Sequence, residues 1–345
     1  MEKVRFGKAG LMVSKVAFGG IPIQRLGARE AAEVVRGAIG LGVNFIDTAN
    51  GYTDSEEKIG AAIRGIPRGG LVIASKSGAR DKKAFLEHVD LTLKRLGTDY
   101  VDLYQHHGVS SPEDYAATMG EGGAFEGMEE AVRAGKVRFP AFSSHSVPLS
   151  MEIMRGGKFY AVQLPFNFVD DEAAKEAVPL AKELDMGFIA MKPFGGGLLS
   201  DARLTIKYLS QFGSVVPDPG IEKLSEIEEI VKIIESCSGF TPGDAAEVAA
   251  AKAELGAKWC HRCDYCKPCA KGIHISGALT IESFFKRMPF ARVKAMAGAN
   301  MENARNCIKC RDCVSRCPYN LDIPELIAEK LAIWDGHIAA MGKHG

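Results

Sequence analysis

Eight of the nine cysteines in this chain fall into two tight runs near its C-terminal end. The first run is Cys260, Cys263, Cys266 and Cys269; the second is Cys307, Cys310, Cys313 and Cys317, with Pro318 directly after it. The second run reads C-x2-C-x2-C-x3-C-P, a spacing that holds a [4Fe–4S] cubane. A cubane takes four thiolates, one on each iron. Three closely spaced cysteines wrap one cluster while the fourth reaches the other, so two runs predict two clusters with crossed ligands. Cys260, Cys263, Cys266 and Cys317 would hold one cluster, and Cys307, Cys310, Cys313 and Cys269 the other.

The runs also read as a diverged repeat. Ala-Lys-Gly-Ile-His-Ile follows the first and Pro-Tyr-Asn-Leu-Asp-Ile the second, which matches Ile273 with Leu321 and Ile275 with Ile323. The first run has two residues rather than three before its last cysteine, and Ala270 stands where the second has proline. The C-terminal region thus resembles a two-cluster ferredoxin. Two zinc sites of four thiolates would also use C-x2-C pairs, but they need neither a third cysteine at the next step nor the trailing proline. A disulfide framework requires an oxidising compartment. Cys237 stands outside both runs and reads as a small apolar residue.

At 345 residues, the chain has room for one large or two ordinary domains. Its 43 basic and 43 acidic side chains balance, which argues against a nucleic-acid or membrane-surface binder. It has no apolar run of membrane-spanning length, and Met-Glu-Lys-Val-Arg-Phe-Gly is not a signal-peptide core. A cytoplasmic protein in a reducing compartment is the expectation.

Ahead of the cysteines, short β-branched runs alternate with helical stretches. Candidate strands are 16–19, 43–49, 71–76, 100–107, 137–145, 160–165, 187–193 and 214–217. Segment 82–96 puts Phe85, Leu86, Val89, Leu93 and Leu96 on one helical face. Eight βα units over about 235 residues predict an α/β fold, a (β/α)8 TIM barrel. Residues 4–13 read as a hairpin closing its bottom. An open doubly wound sheet would want G-x-G-x-x-G after its first strand; Phe18-Gly19-Gly20-Ile21-Pro22 stands there instead. The expected domains are a barrel over 1–236, a linker helix within 237–259, and a small α-helical ferredoxin-like domain over 260–345 holding two [4Fe–4S] clusters.

Barrel chemistry gathers at the C-terminal ends of strands. Asp47 ends the second candidate strand with Tyr52 in the loop beyond it, Lys76 ends the third, and His107 the fourth. A lysine ammonium beside a tyrosine favours the phenolate and makes a better acid of the phenol. Asp47 would keep Lys76 charged and fixed, and His107 would orient a carbonyl oxygen. Singly, each residue has an ordinary structural reading, and His106 beside His107 shows how little one histidine means. The joint pattern carries the weight.

Residues 1 to about 235 resemble the aldo-keto reductase superfamily. The motifs are Asn44-Phe45-Ile46-Asp47-Thr48-Ala49-Asn50-Gly51-Tyr52, Ser55-Glu56, Ile59-Gly60, Ala74-Ser75-Lys76 and Asp99-Tyr100-Val101-Asp102-Leu103-Tyr104-Gln105-His106-His107. A barrel followed by a cysteine-rich tail resembles the iron–sulfur subgroup of that superfamily. The resemblance implies catalytic Asp47, Tyr52, Lys76 and His107, with His107 chosen over His106 because it lies three residues after the tyrosine of Asp-Leu-Tyr. It implies NADP or NAD bound without a dinucleotide fold, and hydride transfer to or from a small-molecule carbonyl or alcohol. The implied cofactor positions are Gly19, Gly20, Ser143, Ser144, Gln163, Met191, Lys192 and Lys223. Ser144 stands where the family has asparagine, and Met191 where many members stack a tyrosine. Asp218 and Glu222 would repel a 2′-phosphate that only Lys223 would favour.

Hydride carries two electrons together and clusters take one at a time, so exchange between the two parts implies a flavin. Arg305, Lys309, Arg311 and Arg316 crowd the second cysteine run. They read as a solvated basic face, a set tuning cluster potential, or a dock for an acidic redox partner protein. The alternative to a carbonyl reductase is an electron-transfer protein or scaffold whose barrel does other work.

Overall fold

Each of the eight apolar runs expected to be a strand is one. The computed structural model describes residues 1–256 and 258–341. Two strands come first, β1 (Lys3–Phe6) and β2 (Leu11–Ser14), which form an antiparallel hairpin. The other strands are β3 (Ala17–Gly19), β4 (Phe45–Asp47), β5 (Val72–Ser77), β6 (Val101–His106), β7 (Val137–Ser143), β8 (Ala161–Pro165), β9 (Gly187–Met191) and β10 (Val215–Asp218). They make one parallel sheet in sequence order, with helices in the connections. The helix Lys82–Leu96 occupies the span its apolar face predicted. Its N-cap Asp81 accepts from Ala84 N, and left-handed Gly97 (φ 65°) ends it.

Closure of the sheet depends on one glycine. Gly19 N donates to Pro219 O at 2.9 Å, and Gly19 O accepts from Ile221 N at 3.1 Å. A Cβ on Gly19 would lie 2.5 Å from Pro219 O, closer than any side chain tolerates. The first barrel strand therefore meets the chain beyond the last only because residue 19 has no side chain.

Side chains on a strand alternate between faces. One face supplies the barrel interior, where Ala17, Phe45, Val72, Ala74, Leu103, Ala141, Ala161, Ile189 and Val216 form an apolar floor with Phe6, Leu11 and Val13 of the hairpin. The opposite face, including Phe18, Ile46, Ile73 and Tyr104, meets Val35, Ile59, Phe85, Val89 and Met128 of the surrounding helices. Phe6 plugs the bottom: it is 1% exposed, meets Phe45 edge-on at 5.4 Å, and fills the space a Cβ on Gly187 would need.

By compactness the chain divides into Met1–Gly195 with Leu199–Asp244, and Gly196–Leu198 with the chain from Ala245 onward. The helix Pro242–Gly256 runs across that division. In the second unit the two halves of the expected repeat behave alike. Ile275 and Ile323 each open a helix after a cysteine run, Ile275–Leu279 and Ile323–Met341. Ile273, Ile275, Leu321 and Ile323 are all buried, with Val293, Met301 and Trp334.

Because Phe6 closes the apolar floor, Phe6→Ala is expected to cost about 3–5 kcal/mol in equilibrium unfolding. A loss below ~1 kcal/mol in a denaturant titration would show that the hairpin does not seal the barrel.

Candidate functional site

Strand alternation, continued one step beyond the apolar floor, sets the next interior layer. Two residues on from floor positions Ala17, Phe45, Ala74, Leu103, Ala141, Ala161, Ile189 and Val216 stand Gly19, Asp47, Lys76, Gln105, Ser143, Gln163, Met191 and Asp218. The layer above the core is therefore mostly polar. It contains five of the residues predicted for catalysis or cofactor binding on β4 to β9, and two, Gln105 and Asp218, that were not predicted as site members. The signal for both was available: each lies two residues past an apolar interior position.

Lys76 is the centre of this layer. It is 2% exposed, paired with Asp47 Oδ2, and donates to Thr48 O at 2.7 Å. Gln105 Nε2 donates to Asp47 Oδ1 at 3.2 Å, so both carboxylate oxygens are engaged. Gln163 Nε2 donates to Asp218 Oδ2 at 2.8 Å and reaches Asp47 Oδ2 at 3.5 Å. Tyr52 stands over the pair, its ring centroid 5.2 Å from Lys76 Nζ, and the His107 ring meets it edge-on at 5.8 Å. The structure thus brings Asp47, Tyr52, Lys76 and His107 together.

The loop that carries Tyr52 is strapped to its neighbours. Thr48 N donates to Ala74 O and Asn50 N to Lys76 O, both at 2.9 Å, so the loop follows the end of β5. Glu56, 1% exposed, accepts from Ser75 Oγ at 2.6 Å and Thr92 Oγ1 at 2.7 Å, and pairs with Arg95 at 3.2 Å. Arg95 also donates to Asn50 O at 3.1 Å. A single buried carboxylate thereby ties the helix Ser55–Ile63 to β5, to the helix Lys82–Leu96, and to the turn before Tyr52.

Burial opposes the Lys76 charge, but Asp47, Tyr52 and Asp218 together hold the ammonium above its usual range. Burial, then Lys76, Arg80 and Lys192, push His107 down to about 3, so it is neutral at ordinary pH. His106 points the other way, as alternation requires. It lies among Phe85, Phe125 and Phe159, neither ring nitrogen has a partner, and burial pushes it down to about 3. Asp218 is the other perturbed group: burial and then Asp47 raise its carboxyl well above the usual range, against the pull of Lys76.

The residues expected to meet a dinucleotide lie at several places. Gly20 N donates to Asp47 O at 2.8 Å and Ser55 Oγ to Gly20 O at 2.8 Å; the Cβ positions of Gly19 and Gly20 are filled by protein atoms. Ser143 ends β7 and accepts from Gly108 N at 3.0 Å. Ser144 accepts from Ser146 N at 3.0 Å within its own turn. Gln163 Oε1 is buried without a partner. Met191 ends β9, and Lys192 Nζ lies 3.4 Å from His145 Nε2. Lys223 is an exposed helix N-cap whose backbone N–H donates to Glu226 at 3.0 Å. The sequence set Asp218 beside a phosphate at that helix start. It ends β10 inside the barrel, because strand register rather than proximity in sequence directs it.

The cysteines form two sets, and each set mixes the runs. One cavity is lined by Cys260, Cys263, Cys266 and Cys317, the other by Cys269, Cys307, Cys310 and Cys313. Among the described residues no three His, Cys, Asp or Glu side chains converge on a single-ion site. Four thiols spread around a cavity are the donor set a cubane fits, since each thiolate meets a different iron. The wrapping loops repeat in detail: the residues on either side of the second cysteine are left-handed in both runs, Arg262 (φ 58°) and Asp264 (φ 62°), Lys309 (φ 53°) and Arg311 (φ 66°). Of the crowded basic residues, Arg305 pairs with Asp335 and Glu302, and Arg311 with Asp322. Arg316 donates to Cys266 O at 2.9 Å and Pro268 O at 2.7 Å, joining the two runs.

The chain matches the family model described as Aldo/keto reductase family over residues 15–247, and that of a 4Fe-4S dicluster domain over residues 259–322. It is 30% identical over 220 residues to "Uncharacterized oxidoreductase YqkF" of Bacillus subtilis, covering 59% of this chain and 68% of that one. It is 28% identical over 215 residues to "Probable aldo-keto reductase 1" of Glycine max, covering 57% of this chain and 60% of that one. The fold is similar to aldo-keto reductase AKR11C1 from Bacillus halodurans (TM-score 0.63, 22% identity, 72% of this chain and 96% of that one). It is also similar to a Bombyx mori aldo-keto reductase solved in complex with NADP (TM-score 0.59, 20% identity, 72% of this chain and 92% of that one).

His106 gives the site a pH signature in stability. Its folded pKa, about 3, lies below the ordinary 6.5, so between those values the unfolded chain binds more protons and stability falls as pH drops. The slope is up to about 1.4 kcal/mol per pH unit for each such histidine. His106→Phe removes one contribution and suits the aromatic surroundings. Melting temperatures of wild type and His106→Phe should diverge below pH ~6 in the mutant's favour; parallel curves would refute the assignment.

Proposed function

The chain belongs to the aldo/keto reductase family and carries a 4Fe–4S dicluster domain beyond its barrel, and on that premise we propose that it transfers hydride between NAD(P)H and a small-molecule carbonyl or alcohol, with Tyr52 as the general acid. The observation that carries this reading is the grouping of Tyr52, a buried charged Lys76 and a neutral His107, with Lys76 Nζ 5.2 Å and the His107 ring 5.8 Å from the Tyr52 ring.

Bound NADP or NAD supplies the hydride. Around it the chain provides the proton and the orientation. Lys76 stabilises negative charge developing on the Tyr52 oxygen, which lets the phenol give its proton to a substrate oxygen near neutral pH. Asp47 fixes Lys76 and keeps it charged. His107, uncharged, is suited to donate a hydrogen bond to the same substrate oxygen rather than compete as an acid. Gln163, Ser143, Ser144, Met191 and Lys192 would border the nicotinamide half, Gly19 and Gly20 the adjacent backbone, and Lys223 the far phosphate. Gln163 supports this with its unpartnered Oε1. The NADP-bound Bombyx mori fold supports NADP as the cofactor class.

In the second unit, the two mixed cysteine sets support two [4Fe–4S] clusters with crossed ligands. Cys263 and Cys310 are exposed, which supports one-electron exchange with a redox partner at that end. Joining those clusters to hydride chemistry takes a converter between two-electron and one-electron transfer, a bound flavin or an external redox partner. Anaerobic EPR tests that path: a reduced-cluster signal after NADPH or NADH would establish it, and a signal with dithionite alone would show clusters that work apart from the barrel.

Tyr52→Phe should lower carbonyl reduction by about 100-fold or more while leaving the dithionite-reduced cluster signal intact. Retention of reductase activity would exclude Tyr52 as the acid. The crossed ligands predict a pattern in paired mutants. Cys269→Ser with Cys310→Ser should take iron from roughly eight to roughly four per chain, whereas Cys269→Ser with Cys263→Ser should remove nearly all of it. The reverse pattern would mean that each run holds its own cluster.

A further inference from the structure

The polar layer holds an acid that the chemistry above leaves unused. Asp218 ends β10 and is 8% exposed. Its Oδ2 accepts from Gln163 at 2.8 Å, while its Oδ1 is buried and has no partner. Gln163 Nε2 spans both acids, 2.8 Å from Asp218 Oδ2 and 3.5 Å from Asp47 Oδ2, and Asp47 is among the groups that raise the Asp218 carboxyl. The groups around it are Asp47 from β4, Lys76 from β5, the Gln163 amide from β8, Met191 beside it on β9, and the backbone of Gly19 on β3, whose absent Cβ leaves room for Oδ1. Two acids thus share one ammonium in a largely buried layer.

Charge sets what that arrangement can be. Lys76 balances one carboxylate, Asp47, which Gln105 and Lys76 both engage. A second buried carboxylate would stand uncompensated, and its bare Oδ1 would cost far more as an anion than as a hydroxyl. One of the pair therefore retains a proton, and the acid farther from Lys76's direct bond is Asp218.

We propose that Asp218 is the proton store of this site, the carboxyl that replaces the proton Tyr52 gives away, by way of Asp47 and Lys76. The proposal rests on the carbonyl-reduction reading above. When the Tyr52 hydroxyl proton passes to a substrate oxygen, a phenolate remains. A proton from the Lys76 ammonium returns to that phenolate. Lys76 is then recharged by the Asp218 proton, handed through the Asp47 carboxylate, and Asp218 recovers its proton from solvent. One proton leaves Asp218 for each alcohol formed, and the electron pair comes with the hydride. Asp218 acts through Asp47 and Lys76, so it is a positioning and proton-holding residue rather than a catalytic one.

Infrared difference spectra of the anaerobically reconstituted full-length protein test the stored proton without turnover. Wild type at neutral pH should show the carbonyl stretch of a protonated buried carboxyl, shifted in D2O, absent in Asp218→Asn and displaced but present in Asp218→Glu. With 4-nitrobenzaldehyde and NADPH as probes, Asp218→Asn should lose far more in steady state than in its first turnover. It should slow by at least about tenfold in steady state and lose an alkaline ionisation that Asp218→Glu restores. A wild-type spectrum without such a band, or an Asp218→Asn enzyme with wild-type steady-state rate and pH profile, overturns the proposal. Should wild type reduce no carbonyl at all, the preceding reading fails, and the infrared arm still decides whether Asp218 holds a proton.

Discussion

The ion pair of Lys76 with Asp47, almost fully buried inside a barrel, is the feature the rest of the first unit must accommodate. Removing an ammonium and a carboxylate from water costs several kcal/mol each, and their attraction offsets it only when every remaining hydrogen-bonding position is met. Here Thr48 O, Gln105 and Gln163 meet those positions, and each comes from a different segment. The pair can exist only where several strand ends converge. The same low-polarity surroundings that make it expensive also keep His107 uncharged and give the Lys76 charge its long reach toward Tyr52.

Rigidity around this centre comes from a second buried carboxylate. Glu56 joins the helix that follows Tyr52 to the strand that carries Lys76, and Arg95 extends the link to the backbone before Tyr52. Positions for acid and ammonium are therefore set by one network rather than by two independent loops. A shift of an ångström between them would weaken the electrostatic help that the phenol receives. The closure at Gly19 serves the same end, since it brings β10, and with it Asp218, against β3, whose other neighbour β4 carries Asp47.

The second unit solves a different problem, in that it must present eight thiols in two groups of four. Each run bends through left-handed residues on both sides of its second cysteine. Such turns are unfavourable for residues other than glycine and are held by the surrounding structure. The apolar pairs Ile273 with Leu321 and Ile275 with Ile323 supply that support from equivalent places. Arg316 ties the second run to the backbone of the first, so the two halves hold one another in register.

Much of this was legible in the chain alone. Period-two and period-3.6 patterns located the eight strands and the helix Lys82–Leu96, because burial on one face is written locally. Cysteine spacing implied crossed sets because three cysteines two residues apart can wrap only one cavity. The motifs around Asp47, Tyr52, Lys76 and His107 named the group that the fold assembles. What no motif disclosed was membership of the polar layer by Gln105 and Asp218, and strand alternation alone did not say which groups they would face. Gln105 and Asp218 join it through strand register, and Asp218 lies 171 positions from Asp47 in sequence. Whether an acid faces solvent, a phosphate or another buried acid depends on which strands become neighbours. Only closure of the barrel, which brings the end of β10 beside β3, decides that.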